Sequence, residues 1–128
     1  MVYSATDTIT ARGGGDGGYG AGIGGGDESA CGNIIIEGGT VTATPGSNAA
    51  GIGCGLWGTC GDITITDTVT KVTVTKKGEG AKNIGPGKEA NCGTVTIGGN
   101  VYYENGKCVN GGDTYLTQYT LVYEPKEK

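Results

Sequence analysis

Gly22-Ile23-Gly24-Gly25-Gly26, four further residues, and then Cys31-Gly32-Asn33-Ile34-Ile35-Ile36 open a pattern that the chain repeats twice. The second copy is Gly51-Ile52-Gly53-Cys54-Gly55 followed by Cys60-Gly61-Asp62-Ile63-Thr64-Ile65. The third is Asn83-Ile84-Gly85-Pro86-Gly87 followed by Cys92-Gly93-Thr94-Val95-Thr96-Ile97. Isoleucine and cysteine stand eight residues apart in every copy, while the copies are offset by 29 and then 32 residues. Between copies lie further β-prone stretches, Thr40 to Thr44 and Val69 to Thr75, and Thr8-Ile9-Thr10-Ala11 reads as the same element of a partial earlier unit. Each unit therefore reads as short extended segments of period two between Gly-rich turns. No stretch carries a helical period, and β-branched residues dominate the non-Gly positions. The class is all-β.

A unit of this length cannot bury an apolar face by itself, but stacking successive units in parallel buries a continuous column. The expected architecture is a right-handed parallel β-helix, a solenoid of about four short coils. Ile34, Ile63 and Val95 form one inward ladder, Ile36, Ile65 and Ile97 a second, and Ile23, Ile52 and Ile84 a third. Ile35, Thr64 and Thr96 then face outward. The pattern stops after Ile97. Val101 to Val109 contains Asn105-Gly106 flanked by β-formers, which predicts a hairpin with a type I′ turn. Thr114 to Tyr123 alternates weakly, and Glu124-Pro125-Lys126-Glu127-Lys128 is a charged tail. Together these residues are expected to cap the C-terminal end of the stack, whose strand edges would otherwise be open. Residues 1–128 are read as one domain: a partial N-terminal coil over 1–20, three repeats over 21–100, and a cap and tail over 101–128.

Composition agrees with this economy. The chain has 128 residues, 29 of them Gly and 3 Pro, so these two types fill 32 positions. Leu, Ile and Val fill only 22 positions and Phe none. Such numbers describe a disordered chain unless a period organises them; here one does, and a thin solenoid core needs few large side chains. A net charge of −4 and a pI near 4.6 argue against nucleic acid as a partner. No apolar run approaches the ~20 residues of a membrane span. Met1-Val2-Tyr3-Ser4 lacks the basic and apolar regions of a signal peptide, so any export signal is expected upstream or already removed.

The pattern of residues 20–26, 31–36 and 38–44, repeated, resembles the glycine-rich GIGG repeats of large surface proteins from gut-associated anaerobic bacteria. Residues 101–125 resemble the segment that often ends such arrays. The resemblance spans about residues 8 to 125; Cys54 and Pro86 depart from it at the position of Gly25. It implies a β-helical, extracellular module associated with a cell wall or envelope, and it supplies no catalytic or binding residues.

Several side chains invite a chemical reading. Cys31, Cys60 and Cys92 occupy one column, expected as a buried and mostly reduced structural ladder; a Cys31–Cys60 or Cys60–Cys92 disulfide is the alternative on Cα spacing. With no His, no CxxC pair, and Cys54 and Cys60 six apart, no zinc site is expected. Asp16 and Asp27 each follow three glycines, but the Asp27 column continues as Leu56 and Lys88, so no calcium column forms. The loop before the Cys column varies at fixed length, as a surface face should. It carries Trp57, the only Trp, between Glu28 and Glu89 of the neighbouring repeats. An indole beside carboxylates is a candidate sugar platform, which makes Trp57, Asp27, Glu28 and Glu89 the candidate ligand-binding residues. The competing reading folds the indole over Leu56 and Gly58. Outward threonines are explained by β-propensity rather than ice binding.

No catalytic residue is expected: Arg12 is the single Arg, His is absent, and no carboxylate pair has a basic partner. Nor is a cofactor or metal. The expected role is a non-enzymatic structural or adhesion module, a stiff spacer within a longer secreted surface protein or particle. The alternative is a carbohydrate-binding module using the Trp57 loop. Surface glycans or other surface proteins are the expected partners, with a monomer or weak end-to-end self-association.

Overall fold

The computed structural model describes residues 8–13, 19–75 and 80–125; Asp16 lies outside them. Twelve strands and one helical turn make up the regular structure of these residues. The all-β class holds. β1 (Thr8–Arg12), β4 (Thr40–Thr44) and β7 (Lys71–Thr75) pair in parallel, and β12 (Thr120–Tyr123) adds antiparallel to β7. β3 (Ile34–Ile36), β6 (Ile63–Ile65) and β9 (Val95–Ile97) pair in parallel, with β10 (Asn100–Glu104) and β11 (Lys107–Cys108) added antiparallel. β2 (Ile23–Gly24), β5 (Ile52–Gly53) and β8 (Ile84–Gly85) form a small all-parallel sheet. Two sheets are thus mixed and one is parallel, and none closes on itself.

Register follows the repeat. Ile34 pairs with Ile63 and Ile63 with Val95, Ile36 with Ile65 and Ile65 with Ile97, and Ile23 with Ile52 and Ile52 with Ile84. All nine side chains are buried. The strands that follow the first two repeats add a third face, where Val41 pairs with Val72 and Ala43 with Val74, all fully buried. Strands of alternating burial meet in one core, and like stacks on like because a parallel register repeats the same environment every turn.

The corner at β2, β5 and β8 requires glycine for two separate reasons. Gly24, Gly53 and Gly85 have φ of 131°, 140° and 134°, a region closed to other L-residues. A Cβ on Gly24 would also overlap the carbonyl oxygen of Gly53, and a Cβ on Gly53 that of Gly85. Backbone passes directly over backbone here, joined by Gly25 N–H to Gly53 O at 2.9 Å and Cys54 N–H to Gly85 O at 3.1 Å.

A polar column runs beside the apolar ones. The Asn33 side-chain oxygen accepts the Asp62 backbone N–H at 2.8 Å, and an Asp62 carboxylate oxygen accepts the Thr94 N–H at 2.9 Å. A Cβ on Gly61 or Gly93 would strike these same oxygens, which explains the glycine after each later cysteine.

The stack ends through a reversal. Gly98 and Gly99, at φ 61° and 87°, form a two-residue turn that sends β10 back along β9, with Asn100 opposite Ile97. The expected hairpin follows, with Asn105 and Gly106 at φ 54° and 80°, as a type I′ turn requires. Thr114 to Tyr123 differs from its expected alternation: Gly112–Tyr115 is a helical turn, α1, and only Thr120–Tyr123 is extended. The expected strand Val69 to Thr75 begins at Lys71. Asn83 explains how the cap docks. It is fully buried, and its amide donates to the carbonyls of Leu116 and Gln118 at 3.2 and 2.6 Å while its backbone N–H reaches Leu116 O at 2.8 Å. Its side-chain oxygen has no partner, a cost the cap contacts must outweigh. The Tyr102 and Tyr115 rings lie 4.6 Å apart at 35°.

Two outcomes follow from this geometry. Gly53→Ala loses more than about 4 kcal/mol, because strain and overlap act together, whereas Gly32→Ala, with open space around its Cβ, changes stability by less than about 0.5 kcal/mol; urea unfolding distinguishes them. Burial, and then the neighbouring Tyr102 and Tyr123, push the Tyr115 phenol up to about 12 from the ordinary value of about 10. A raised phenol contributes stability that is intact below pH 10 and lost as pH rises towards 12. Tyr115→Phe should flatten that part of the stability–pH curve, followed by circular dichroism in denaturant.

Candidate functional site

The loop face is built from three successive turns of the same form. Ser29 N–H bonds to Gly26 O at 3.3 Å and Gly58 N–H to Gly55 O at 3.1 Å. The third residue of each turn has positive φ: Glu28 at 53°, Trp57 at 56° and Glu89 at 56°. That turn position ordinarily favours Gly or Asn. Glu28 N–H donates to Leu56 O at 2.8 Å and Trp57 N–H to Lys88 O at 3.0 Å, so the three residues stack in one column. The structure therefore brings Glu28, Trp57 and Glu89 together. Asp27 lies one residue earlier, in the column of Leu56 and Lys88, and its backbone carbonyl accepts the Ser29 hydroxyl at 3.0 Å. Trp57 is 56 % exposed, which leaves much of its indole open to solvent. Glu28, Glu89 and Asp27 are exposed as well.

The cysteine column lies directly behind this loop. Parallel bridges join Ala30 to Thr59 and Thr59 to Asn91. Cys31 N–H bonds to Thr59 O at 2.9 Å and Cys60 N–H to Asn91 O at 3.0 Å. Cys31, Cys60 and Cys92 are thus in register, with all five thiols free. Sequence reasoning did not join Cys54 to them. Its signal was the loss of glycine at the Gly25 position. The Cys54 thiol donates to Asn91 O at 3.1 Å and touches Cys60 and Cys92.

These contacts divide the thiols. Hydrogen bonds from Cys60 first, then Cys92, pull the Cys54 thiol down against the opposing effect of burial. The bond to Cys54 pushes both Cys60 and Cys92 up, and burial raises Cys31. Among the described residues no set of three or more Cys, Asp or Glu side chains is placed to hold a metal ion.

An open groove of about 290 Å³ lies between the β6 and β9 ends, lined by Thr64, Ile65, Thr66, Asp67, Thr96, Gly98 and Gly99. Asp67 is the one titratable side chain in that lining, and after burial its charge helps push the nearby Tyr123 phenol up. Among the described residues no helix is long and apolar enough to cross a membrane.

The left-handed turn column makes its own prediction. Glu89 is exposed at φ 56°, so Glu89→Gly relieves backbone strain at little contact cost and should stabilise the chain by about 1 kcal/mol in chemical denaturation. No family model, no curated protein and no solved structure matches the chain.

Proposed function

We propose that the chain is a short right-handed parallel β-helix serving as a non-enzymatic structural or adhesion module, a stiff spacer in a bacterial surface protein. One observation carries the reading: three repeats stack in register on three parallel strand columns, Ile23–Ile52–Ile84 among them, and antiparallel strands terminate the stack at one end. Such an arrangement resists bending because each turn is hydrogen-bonded to the next along the axis. Right-handed winding is the favoured hand for parallel crossovers. The resemblance to GIGG-repeat surface modules supports an extracellular place, at a cell surface or on a particle, within a longer secreted parent. At the other end β1, β2 and β3 each pair on one side only among the described strands, which suits continuation by further coils or weak end-to-end association.

A second reading has a specific observation behind it. The Glu28–Trp57–Glu89 column holds three side chains at a turn position that favours glycine, and strain of that kind clusters at ligand-binding surfaces. An exposed indole between carboxylates suits a sugar ring, stacked on its face and bonded through its hydroxyls. A glycan-array screen of the chain beside Trp57→Ala separates the two. The spacer reading expects blank arrays from both folded proteins, together with backbone relaxation by NMR that reports one rigid, elongated body. Specific signals that vanish in Trp57→Ala replace it with a carbohydrate-binding module on that loop.

A further inference from the structure

The repeat itself measures whether Cys54 and Cys60 can be joined. Cys54 is the register equivalent of Gly25, since Ile23 pairs with Ile52 and Gly24 with Gly53. Cys60 is likewise the equivalent of Cys31, since Ala30 bridges Thr59. A Cβ placed on Gly25 would stand 3.7 Å from the Cβ of Cys31 and 3.8 Å from its sulfur. The first repeat is thus a template with one cysteine missing. Disulfides need Cβ atoms about 3.5–4.5 Å apart, and this corner satisfies that. The column pairs Cys31–Cys60 and Cys60–Cys92 lie across adjacent parallel strands about 4.8 Å apart, inside the Cα range a disulfide tolerates, and are the competing pairings that the test must exclude.

The geometry points to an intramolecular disulfide between Cys54 and Cys60, closing the five-residue loop 55–59 that carries Trp57. Thiol contact supports the pair, because the strongest influence on Cys54 comes from Cys60 and the strongest on Cys60 from Cys54. Either thiol of the pair, once ionised, can open the exchange. A low-molecular-weight disulfide such as oxidised glutathione supplies the oxidant. Cys54 thiolate attacks one glutathione sulfur, breaks the glutathione S–S bond and expels a glutathione thiolate. Cys60 then loses its proton to solvent, attacks the Cys54 sulfur and expels the second glutathione thiolate, which takes up a proton. Two protein thiols and one oxidised glutathione become one protein disulfide and two reduced glutathiones. The bond ties the loop at both ends without linking one repeat to another. A role in the Trp57 face is not required for it.

The test refolds the full chain from urea in a buffer of reduced and oxidised glutathione, where pairings reshuffle to the most stable one. Free thiols are then alkylated, and the chain is digested with chymotrypsin and trypsin, which cut after Trp57, Lys71 and Lys88. The expected result is two protected thiols per chain and a peptide containing Cys54 linked to the peptide of residues 58–71. Cys54→Gly, which restores the residue of the first repeat, should remove that link, and Cys92→Ala should keep it. Five alkylated thiols, a link that survives Cys54→Gly, a link to the Cys92 peptide, or a disulfide between chains would each overturn the assignment. Circular dichroism of both variants checks that they fold.

Discussion

Everything in this molecule depends on how closely one turn of backbone approaches the next at the Gly24–Gly53–Gly85 corner. The carbonyl of each lower turn occupies the space a Cβ would need in the turn above. Because the corner has no side chains, axial N–H to carbonyl bonds form there without interruption, and the neighbouring isoleucines fall into line. If the corner were held apart by one methyl group, the ladders of β3, β6 and β9 and of β4, β7 and β12 could not keep their register. A chain with so little apolar bulk tolerates little slack in that register, since a close-packed core has no spare volume to absorb a shift.

Once the turns are fixed in register, each column becomes a separate environment with its own rule. The apolar columns repeat Ile or Val. The Asn33–Asp62–Thr94 column uses a side-chain oxygen of one turn to satisfy the N–H of the next, and excludes a Cβ on the residue before it. The loop column accepts side chains at positive φ three times over, where the sequence could have used glycine. Cysteine fills the column behind, and Cys54 brings a fourth sulfur into contact from the corner. The loop column is thus exposed, while Cys54 and Cys60 behind it belong to the buried core.

Ending such a stack is as demanding as building it. Gly98-Gly99 reverses the chain in two residues, so that the next strand meets the last parallel one antiparallel. Asn83 takes the place that Gly22 and Gly51 hold in earlier turns, and its amide binds the carbonyls at the end of α1. A residue that would obstruct a further turn here anchors the cap instead.

Much of this was readable from spacing alone. Fixed eight-residue intervals from Ile23, Ile52 and Ile84 to their cysteines identified the ladders, and Asn105-Gly106 identified its turn, because period and turn chemistry are local properties of a chain. The helical turn at Gly112–Tyr115, the reversal at Gly98-Gly99 and the docking of Asn83 depended on which groups were left unpaired at the end of the stack, and no local pattern records that. The same holds for the sulfurs. Sequence placed Cys31, Cys60 and Cys92 in a column, but the side of the corner from which Cys54 approaches them is a matter of three-dimensional direction. Repetition is written along the chain, whereas the contacts between a repeat's corner and its own later residues exist only after the backbone has turned.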